Sequence, residues 1–199
     1  MLKDSTALFL GGDLGTPVSL PVPPENHELI VGADRGAGQA LELGLRPALA
    51  IGDFDSLAAH HLEALRTCGT EMLRFAPDKD QTDMELALEH LWNMGRRMVY
   101  LYGALGGRLD HELTNITVAM RFATRGMQIR LVASRLLGYF AHGTTDLHLE
   151  GTPGETLSLI PFSPQVLNVR LTGVKWPLEG ELLHYGVSRT ISNMFVTTK

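Results

Sequence analysis

Two short acidic turns contain the residues of this sequence that are best suited to chemistry. The run Gly52-Asp53-Phe54-Asp55-Ser56 is followed along the chain by Lys79-Asp80-Gln81-Thr82-Asp83. Carboxylates that converge without matching basic residues raise each other's pKa, so such a cluster usually indicates a bound cation. Oxygen ligands favour a hard ion, Mg²⁺ before Ca²⁺, and Mg²⁺ held by a few carboxylates usually also holds substrate phosphates. The turns therefore predict an enzyme that handles phosphates.

Each turn also has a purely structural explanation. Asp53 and Asp55 lie two residues apart, so an extended backbone directs both to one side, but aspartate is also common in turns that only cap a helix. Thr82 and Glu85 have the spacing of a capping box, and Asp83 in the first helical turn complements the helix dipole. Capping does not explain the lysine and aspartate that precede this box, and for each turn both explanations stay open.

A glycine-rich stretch between a predicted strand and a predicted helix, Gly103 to His111, is a third candidate. Glycines let backbone amides approach an anion, and a helix N-terminus adds partial positive charge. Arg108 has the planar guanidinium that suits phosphate oxygens. The stretch lacks the Lys-Ser/Thr ending of a Walker A loop, and it is also explained as a loop that needs positive φ. The apolar residues of the following helix are expected to form its core face: Leu109, Leu113, Ile116 and Met120.

The elements that position these residues alternate between short apolar runs and helical patterns. The predicted strands are Ala7–Leu10, Glu28–Val31, Ala48–Ile51, Met72–Phe75 and Met98–Tyr102, and the predicted helices lie near Ala37–Leu43, Ala58–Cys68, Asp83–Met94 and Asp110–Arg125. This alternation is typical of βαβ units around a mainly parallel sheet, in which ligands bind outside the carboxyl ends of the strands. The polar clusters all follow predicted strands, as does Asp34, so one shared site is expected.

The pattern changes near Gln128, where short strands separated by turn residues replace the helices. Such spacing is typical of a sandwich or barrel. We therefore predict a mainly parallel, Rossmann-like α/β domain over residues 1–127 and a smaller all-β sandwich domain over residues 128–199. The second domain is small for an independent core and is expected to be stabilised by packing against the first domain or against another copy of the chain. Trp92 and Trp176 are expected in the core or an interface rather than against a ligand.

Composition narrows the class of protein. The 199 residues are 44% apolar and carry 17 basic against 22 acidic side chains, a balance that argues against a nucleic-acid partner. A single cysteine, Cys68, excludes an intrachain disulfide and fits a reducing compartment. No apolar run is long enough for a membrane span, and the N-terminus lacks the features of a signal peptide. A cytoplasmic location is expected.

Taken together and in order, several segments resemble the thiamin pyrophosphokinase (thiamin diphosphokinase) family. The resemblance spans roughly residues 30–195 and rests on Gly32-Ala33-Asp34-Arg35-Gly36-Ala37, Pro47 to Ser56, Asp78 to Asp83, Gly103 to His111 with Asn115, and Ser192-Asn193. It implies Mg²⁺-dependent transfer of the β,γ-diphosphoryl group of ATP to the hydroxyl of thiamin, giving thiamin diphosphate and AMP. It also implies that the first domain binds ATP and Mg²⁺, that the second binds thiamin, and that the protein is a homodimer with the thiamin site at the subunit interface.

The resemblance also implies roles for individual residues. Asp53, Asp55 and Asp83 would be the Mg²⁺ carboxylates, and Asp110 would be a polar contact near the reacting groups. The expected substrate contacts are Asp34, Asp80, Gln81, Thr82, Gly106 and Arg108 for the nucleotide side, and Ser192 and Asn193 for thiamin. Two segments depart from the family pattern: Arg35 stands where glycine is common, and the segment around Ser192-Asn193 differs from the usual sequence.

Two other functions fit the same residues. The first is another metal-dependent transferase that uses an Asp-x-Asp turn with a nucleotide substrate. The second is a thiamin or nucleotide sensor without catalytic activity, against which the full set of carboxylates argues because a sensor has no need of a metal cluster.

Overall fold

Short apolar runs form a seven-stranded sheet in the first part of the chain. The computed structural model describes residues 2–15, 18–76 and 80–197, and the strands of this sheet are β1 Leu2–Phe9, β2 His27–Ala33, β3 Leu49–Gly52, β4 Glu71–Arg74, β5 Met98–Tyr102, β6 Gln128–Ala133 and β7 Leu136–Tyr139. Their order is β4-β3-β2-β1-β5-β6-β7, and every neighbouring pair is parallel except β6 with β7. The predicted mainly parallel α/β fold is confirmed.

Four helices connect the parallel strands and bury apolar stripes against the sheet. They are α1 Arg35–Glu42, α2 Ala59–Thr67, α3 Asp83–Asn93 and α4 Leu109–Thr124, each close to its predicted position. Helix α3 shows why the sequence folds this way: its buried residues recur at the spacing of one helical face. The predicted capping box is confirmed, because the Thr82 hydroxyl oxygen accepts a hydrogen bond from the Glu85 amide at 3.2 Å. The buried stripe of α3 is Met84, Ala87, Leu88 and Leu91.

The predicted core face of α4 is wrong at its first turns. Leu109 is 70% exposed and Leu113 is 55% exposed. Of the α4 side chains, the buried core cluster contains Val118, Ala119 and Phe122, with Ile116 packed against it, so core contact begins two turns into the helix. The residues that do form its core face lie in the second half: Val118, Ala119, Phe122 and Ala123.

The predicted boundary between the domains is also corrected. The chain divides into compact units at residues 1–143 and 144–199, not at 127/128. Strand β6 pairs in parallel with β5, and β7 adds to it as an antiparallel edge strand, so both belong to the first sheet. Burial explains this arrangement, since Ile129 and Val132 of β6 are fully buried in the first unit. A strand-rich sequence pattern does not show which sheet a strand joins.

The second unit contains little regular structure. Its described strands are β8 Thr156–Leu157, β9 Gln165–Leu171, β10 Leu178–His184 and β11 Asn193–Met194, which form two antiparallel pairs, β9 with β10 and β8 with β11. The unit buries few apolar side chains, as its small size requires. Many of its large apolar side chains are exposed: Ile160, Phe162, Leu167, Trp176, Leu182, Tyr185, Val187, Ile191 and Val196. Among the described residues, no helix of either unit is both long enough and apolar enough to cross a membrane.

A buried polar chain links β1, β2 and β5 beneath the first unit's core. The two ring nitrogens of His27 each lie 2.8 Å from a hydroxyl oxygen, Nδ1 from Ser5 Oγ and Nε2 from the phenol of Tyr102. All three residues are buried. Each hydroxyl also faces a backbone carbonyl oxygen, Ser5 that of Leu2 at 2.6 Å and Tyr102 that of Val22 at 3.0 Å. A neutral imidazole donates through one nitrogen and accepts through the other, so one of the two hydroxyls donates its single proton to the ring and not to its carbonyl oxygen. Burial lowers the pKa of His27 to about 4.

We expect His27 to make the fold acid-sensitive. Its pKa is lower in the folded than in the unfolded state, so between about pH 6.5 and pH 4 the unfolded chain binds the extra proton. The free energy of unfolding should therefore fall as the pH falls through this window, by up to about 3 kcal/mol from this residue. Urea unfolding at pH 7 and pH 4.5 measures the effect. His27→Gln should show a smaller pH dependence than the wild type, and an equal dependence would contradict the assignment.

Candidate active site

Three carboxylates meet at the carboxyl ends of two neighbouring strands. Asp34 is the first residue after β2, and Asp53 and Asp55 lie in the turn after β3. One carboxylate oxygen from each lies within 4.8 Å of those of the other two. The backbone amide of Asp34 donates to the carbonyl oxygen of Ile51 at 2.8 Å, which holds the first loop against the end of β3. The structure thus brings Asp34 to the turn of Asp53 and Asp55, as the positions of these residues after neighbouring strands predict.

The backbone of these loops is arranged so that the side chains converge. Asp34 and Phe54 have φ angles of 43° and 62°, in the left-handed region that residues other than glycine seldom adopt. The Phe54 ring is buried, and Asp53 Oδ1 accepts a hydrogen bond from the Asp55 amide at 3.0 Å. A Cβ at Gly52 would lie 3.2 Å from the Cβ of Asp34, so glycine lets the two loops approach. Such strain costs roughly 1–3 kcal/mol per residue and clusters at functional sites.

The electrostatics of the cluster favour a cation. The pKa of Asp55 is raised, first by its hydrogen bond with Asp53 and by the charge of that residue, then by loss of water and by the charges of Asp34 and Asp83. Ser56 Oγ donates to Oδ2 of Asp34, whereas Oδ1 is buried and accepts no hydrogen bond from the described part of the chain. Oxygen ligands only, mutual repulsion and an unsatisfied buried acceptor together fit a hard ion such as Mg²⁺.

The second acidic turn contributes mainly through Asp83. This residue begins α3, is half-buried, and its charge reaches Asp55. Thr82 caps the helix, and Gln81 donates to a carboxylate oxygen of Glu85 at 3.0 Å, so both residues have structural partners. Asp80 is exposed beside them. The neighbouring Asp78 and Lys79 lie outside the described residues. Ligand contacts by Asp80, Gln81 and Thr82 stay predictions.

The glycine-loop amides and Arg108, which the sequence predicts to bind phosphate, form hydrogen bonds with carboxylates of the protein itself. The amides of Gly106 and Gly107 donate to Glu112 Oε1 at 2.9 and 2.8 Å. Arg108 donates to both oxygens of Asp110, at 3.1 and 2.6 Å, and these hydrogen bonds lower the pKa of Asp110. A phosphate that binds the Gly106 and Gly107 amides must therefore displace Glu112, whereas Arg108 binds Asp110 through Nε and Nη2 and keeps Nη1 outside that pair. Sequence reasoning passed over Glu112, although an acidic residue in the first turn of a helix can bind the amides that precede it.

A cleft of about 350 Å³ opens where β1 and β5 end. The Gly12 amide donates to the carbonyl oxygen of Gly103 at 2.8 Å, and a Cβ at Gly106 would lie only 2.2 Å from the Cβ of Asp13. The glycines therefore allow the two loops to pack directly on one another. Sequence reasoning missed this cleft, and the available signal was Gly11-Gly12 at the end of the first predicted strand. Its walls are formed by Gly11 to Gly15, Val18, Arg35, Gln39, Glu42, Leu43 and Gly106.

A second cleft, of about 460 Å³, lies on the other side of the acidic cluster. It is lined by Asp53 and Asp55 and by three residues that follow β4 or end it: Arg74, Phe75 and Ala76. Arg74 donates to the carbonyl oxygen of Asp53 at 2.8 Å, and its guanidinium lies 5.2 Å from the centre of the Phe54 ring. Arg74 is thus held by the turn that carries the carboxylates.

In the second unit, Asn193 supports an exposed tryptophan. The Asn193 side chain is buried, donates to the carbonyl oxygen of Trp176 at 2.7 Å and accepts from the amide of Trp176 at 3.1 Å. Trp176 is 53% exposed and so does not belong to the core of its unit. Ser192 is exposed, with its amide bound to Ser158 Oγ at 3.0 Å. The thiamin contacts of Ser192 and Asn193 stay predictions, and the observed role of Asn193 is to hold the backbone of Trp176.

Asp53→Asn is expected to lower the pKa of Asp55 toward its ordinary value. The substitution removes the neighbouring charge and leaves an amide that can donate to the Asp55 carboxylate. An NMR pH titration of the Asp55 carboxyl carbon measures the change, with Asp4→Asn at the opposite end of the sheet as the control. An unshifted titration in Asp53→Asn would contradict the coupling. In the metal-free wild type, the raised pKa costs stability as the pH rises from the unfolded-state to the folded-state pKa of Asp55.

Two family models match the chain. One is described as "Thiamin pyrophosphokinase, catalytic domain" and matches residues 24–131, more than half of the sequence. The other is described as "Thiamin pyrophosphokinase, vitamin B1 binding domain" and matches residues 144–199. The first match includes the loops after β2, β3 and β5. The second begins at the residue where the second compact unit begins.

Individual relatives agree with the family models. Thiamine pyrophosphokinase of Bacillus subtilis is 30% identical over 176 residues, which is 88% of this chain and 82% of the relative. Thiamine pyrophosphokinase 1 of rice is 29% identical over 158 residues, and the match spans 75% of this chain and 59% of the longer plant protein. The crystal structure of the B. subtilis protein superimposes with a TM-score of 0.78 at 28% identity, covering 98% of this chain and 91% of that one.

Proposed function

The chain belongs to the thiamin pyrophosphokinase family, whose members form thiamin diphosphate from thiamin and ATP. We propose that it transfers the β,γ-diphosphoryl group of ATP to thiamin, with Mg²⁺ held by Asp53, Asp55 and Asp83. The observation that carries this proposal is the cluster of Asp34, Asp53 and Asp55 at the carboxyl edge of the sheet, and Asp83 is added because its charge reaches Asp55. Repulsion within the cluster supports a cation there, as does Asp34 Oδ1, which is buried and accepts no hydrogen bond from residues 2–15, 18–76 and 80–197.

The proposed reaction forms one bond and breaks one. The hydroxyl oxygen of thiamin attacks the β-phosphorus of ATP, the bond from that phosphorus to the oxygen bridging to the α-phosphorus breaks, and AMP leaves with the bonding electrons. The hydroxyl proton passes to a carboxylate. When bound, Mg²⁺ would neutralise charge on the phosphate oxygens and hold them in line for transfer. The aspartates bind and orient, and an acidic pocket without the metal would repel ATP.

Arg108 and Asp110 are suited to act as a pair. In the absence of substrate they hold one another through two hydrogen bonds. Phosphate oxygens of ATP would attract the Arg108 guanidinium, which forms two-point contacts with oxyanions. Once Arg108 has turned to the phosphates, Asp110 loses the hydrogen bonds that lower its pKa and becomes a stronger proton acceptor. We assign Asp110 as a candidate acceptor of the thiamin hydroxyl proton on this basis.

The second unit would bind thiamin through Trp176. Its indole is exposed, Asn193 fixes its backbone through two hydrogen bonds, and Lys175 Nζ lies 4.6 Å from the centre of its ring. A tryptophan face attracts cations, and the thiazolium ring of thiamin is one.

The exposed apolar side chains of this unit also support a homodimer with the thiamin site shared between subunits. The single cysteine, Cys68, is exposed and has no disulfide partner, which supports a cytoplasmic location.

Asp53→Asn should abolish Mg²⁺-dependent, thiamin-dependent release of AMP while the fold survives. Loss of a metal ligand is expected to lower activity by roughly 100-fold or more. A coupled assay for AMP measures the loss, and circular dichroism confirms the fold. Asp4→Asn makes the same chemical change at the opposite edge of the sheet and should leave activity unchanged. Full activity of Asp53→Asn would contradict the metal-site proposal. Release of AMP by the wild type without thiamin would indicate a different transferase.

Trp176→Ala should raise the KM for thiamin about tenfold while leaving the KM for ATP near the wild-type value. A lost cation–π contact of about 1.4 kcal/mol gives that factor. Trp176→Phe keeps an aromatic face and should recover part of the affinity. Steady-state kinetics with each substrate varied in turn distinguish these effects, and equal KM values for thiamin in wild type and Trp176→Ala would exclude the contact.

Mixing an inactive variant with one that binds thiamin weakly tests whether subunits share the site. Asp53→Asn affects the first unit, and Trp176→Ala affects the second, so a heterodimer with a shared site would contain one intact site. At thiamin concentrations too low for Trp176→Ala alone, equal mixing and reassembly should restore about a quarter of wild-type activity. No recovery, from mixtures that light scattering shows to be dimeric, would place each site within one subunit.

A further inference from the structure

The turn that carries Asp53 and Asp55 has a strained backbone that other contacts must hold in place. Phe54, between the two aspartates, has a φ angle of 62°, a conformation that residues other than glycine seldom adopt. Such a backbone persists only where the surrounding structure fixes it. The Phe54 ring fixes one side of the turn, because it is buried in an apolar cluster with Leu57 and Leu65. The Asp55 amide adds a hydrogen bond to Asp53 within the turn.

Arg74 contacts the same turn from the neighbouring strand. It is the last residue of β4 and lies opposite Gly52 in the parallel pair that β4 forms with β3. The amide of the next residue, Phe75, donates to the carbonyl oxygen of Gly52 at 3.0 Å. Arg74 therefore lies where the turn leaves the sheet. There its Nη1 donates to the carbonyl oxygen of Asp53 at 2.8 Å, and its guanidinium carbon lies 5.2 Å from the centre of the Phe54 ring.

This pair of contacts suits an arginine better than a lysine. A guanidinium is planar, donates several hydrogen bonds from a fixed fork and packs against aromatic rings. A single Arg74 side chain can thus bind the main chain of the turn and contact a side chain of the same turn. A lysine ammonium could donate the hydrogen bond, but it has no planar group to pack against the Phe54 ring.

The charge of Arg74 does not by itself favour a metal ion. Arg74 lines the second cleft together with Asp53 and Asp55, yet within residues 2–15, 18–76 and 80–197 its hydrogen bond goes to a main-chain oxygen and it forms no ion pair with either aspartate. A positive side chain beside the cluster repels a bound cation. Any benefit of Arg74 to metal binding must therefore come from the way in which it holds the turn.

We infer that Arg74 is a positioning residue for the metal site. It binds the carbonyl oxygen of Asp53 and packs against Phe54, and it thereby holds the turn in the conformation that brings the carboxylates together. Residues that orient metal ligands in this way set the affinity of a site without touching the ion. The inference rests on the proposed function, because it concerns the Mg²⁺ that Asp53 and Asp55 would hold.

Binding of Mn²⁺ to the substrate-free protein, followed by electron paramagnetic resonance of the free ion, tests the inference. Mn²⁺ takes the same carboxylate ligands as Mg²⁺. Arg74→Met keeps an unbranched side chain but removes the guanidinium, and it should weaken Mn²⁺ binding about tenfold because the ligands lose their orientation. Arg74→Lys can still donate to the carbonyl oxygen and should recover part of the affinity. Arg46→Met removes another exposed arginine, which precedes β3, and should bind Mn²⁺ as the wild type does.

A second measurement needs no metal. Order parameters from amide nitrogen relaxation should fall at Phe54 and Asp55 in Arg74→Met, because the turn loses an anchor. Equal or tighter Mn²⁺ binding in Arg74→Met would overturn the inference and leave the metal site intact, since removal of a repelling charge alone predicts tighter binding. Unchanged order parameters would also overturn it. Asp53→Asn tests the site itself, and wild-type Mn²⁺ affinity in that variant would contradict both the proposed metal site and the role of Arg74.

Discussion

Parallel pairing of β2 with β3 is the constraint on which the acidic site depends. Ala33 lies opposite Ile51 in this pair, so the loops that follow the two strands leave the sheet side by side. Carboxylates on those loops must then converge, and their repulsion raises the pKa of Asp55. Gly52 and the left-handed backbone of Asp34 and Phe54 let the loops approach. The fold thus holds together charges that would separate in a flexible chain, which is how a protein prepares a site for a cation.

Unlike the carboxylates of the acidic cluster, which repel one another, most of the groups suited to bind an anion already have a hydrogen-bond partner within the protein. Glu112 binds the amides of the glycine-rich loop, and Asp110 binds Arg108. A phosphate that displaces these internal bonds gains only the difference between its own bonds and those it displaces. Arg35 lacks such a partner among the described residues, so its full interaction is available to a ligand. The three groups therefore contribute to binding in different ways, although all are suited to phosphate.

Local sequence signals predicted the elements of the first unit well, because strand runs and helix caps are properties of neighbouring residues. The capping box at Thr82 and the strand at Met98–Tyr102 are examples. The errors concern packing between distant segments. Leu109 and Leu113 have helical core spacing yet lie exposed, because α4 contacts the core only from Ile116 onward. Strand β6 joins the first sheet although its composition resembles the second unit. Neither outcome is encoded within one element.

The sequence by itself determined the family, the reaction class and the identity of the acidic residues, because residue types and their order along the chain are sufficient for these. Only the tertiary structure decided which groups are free to act. It showed that Asp34 keeps a buried oxygen that accepts no hydrogen bond from the described residues, that Asn193 holds the backbone of Trp176, and that a cleft opens between β1 and β5. The physical reason is that partnership and exposure depend on atoms far apart in sequence, which only the folded chain brings within reach of one another.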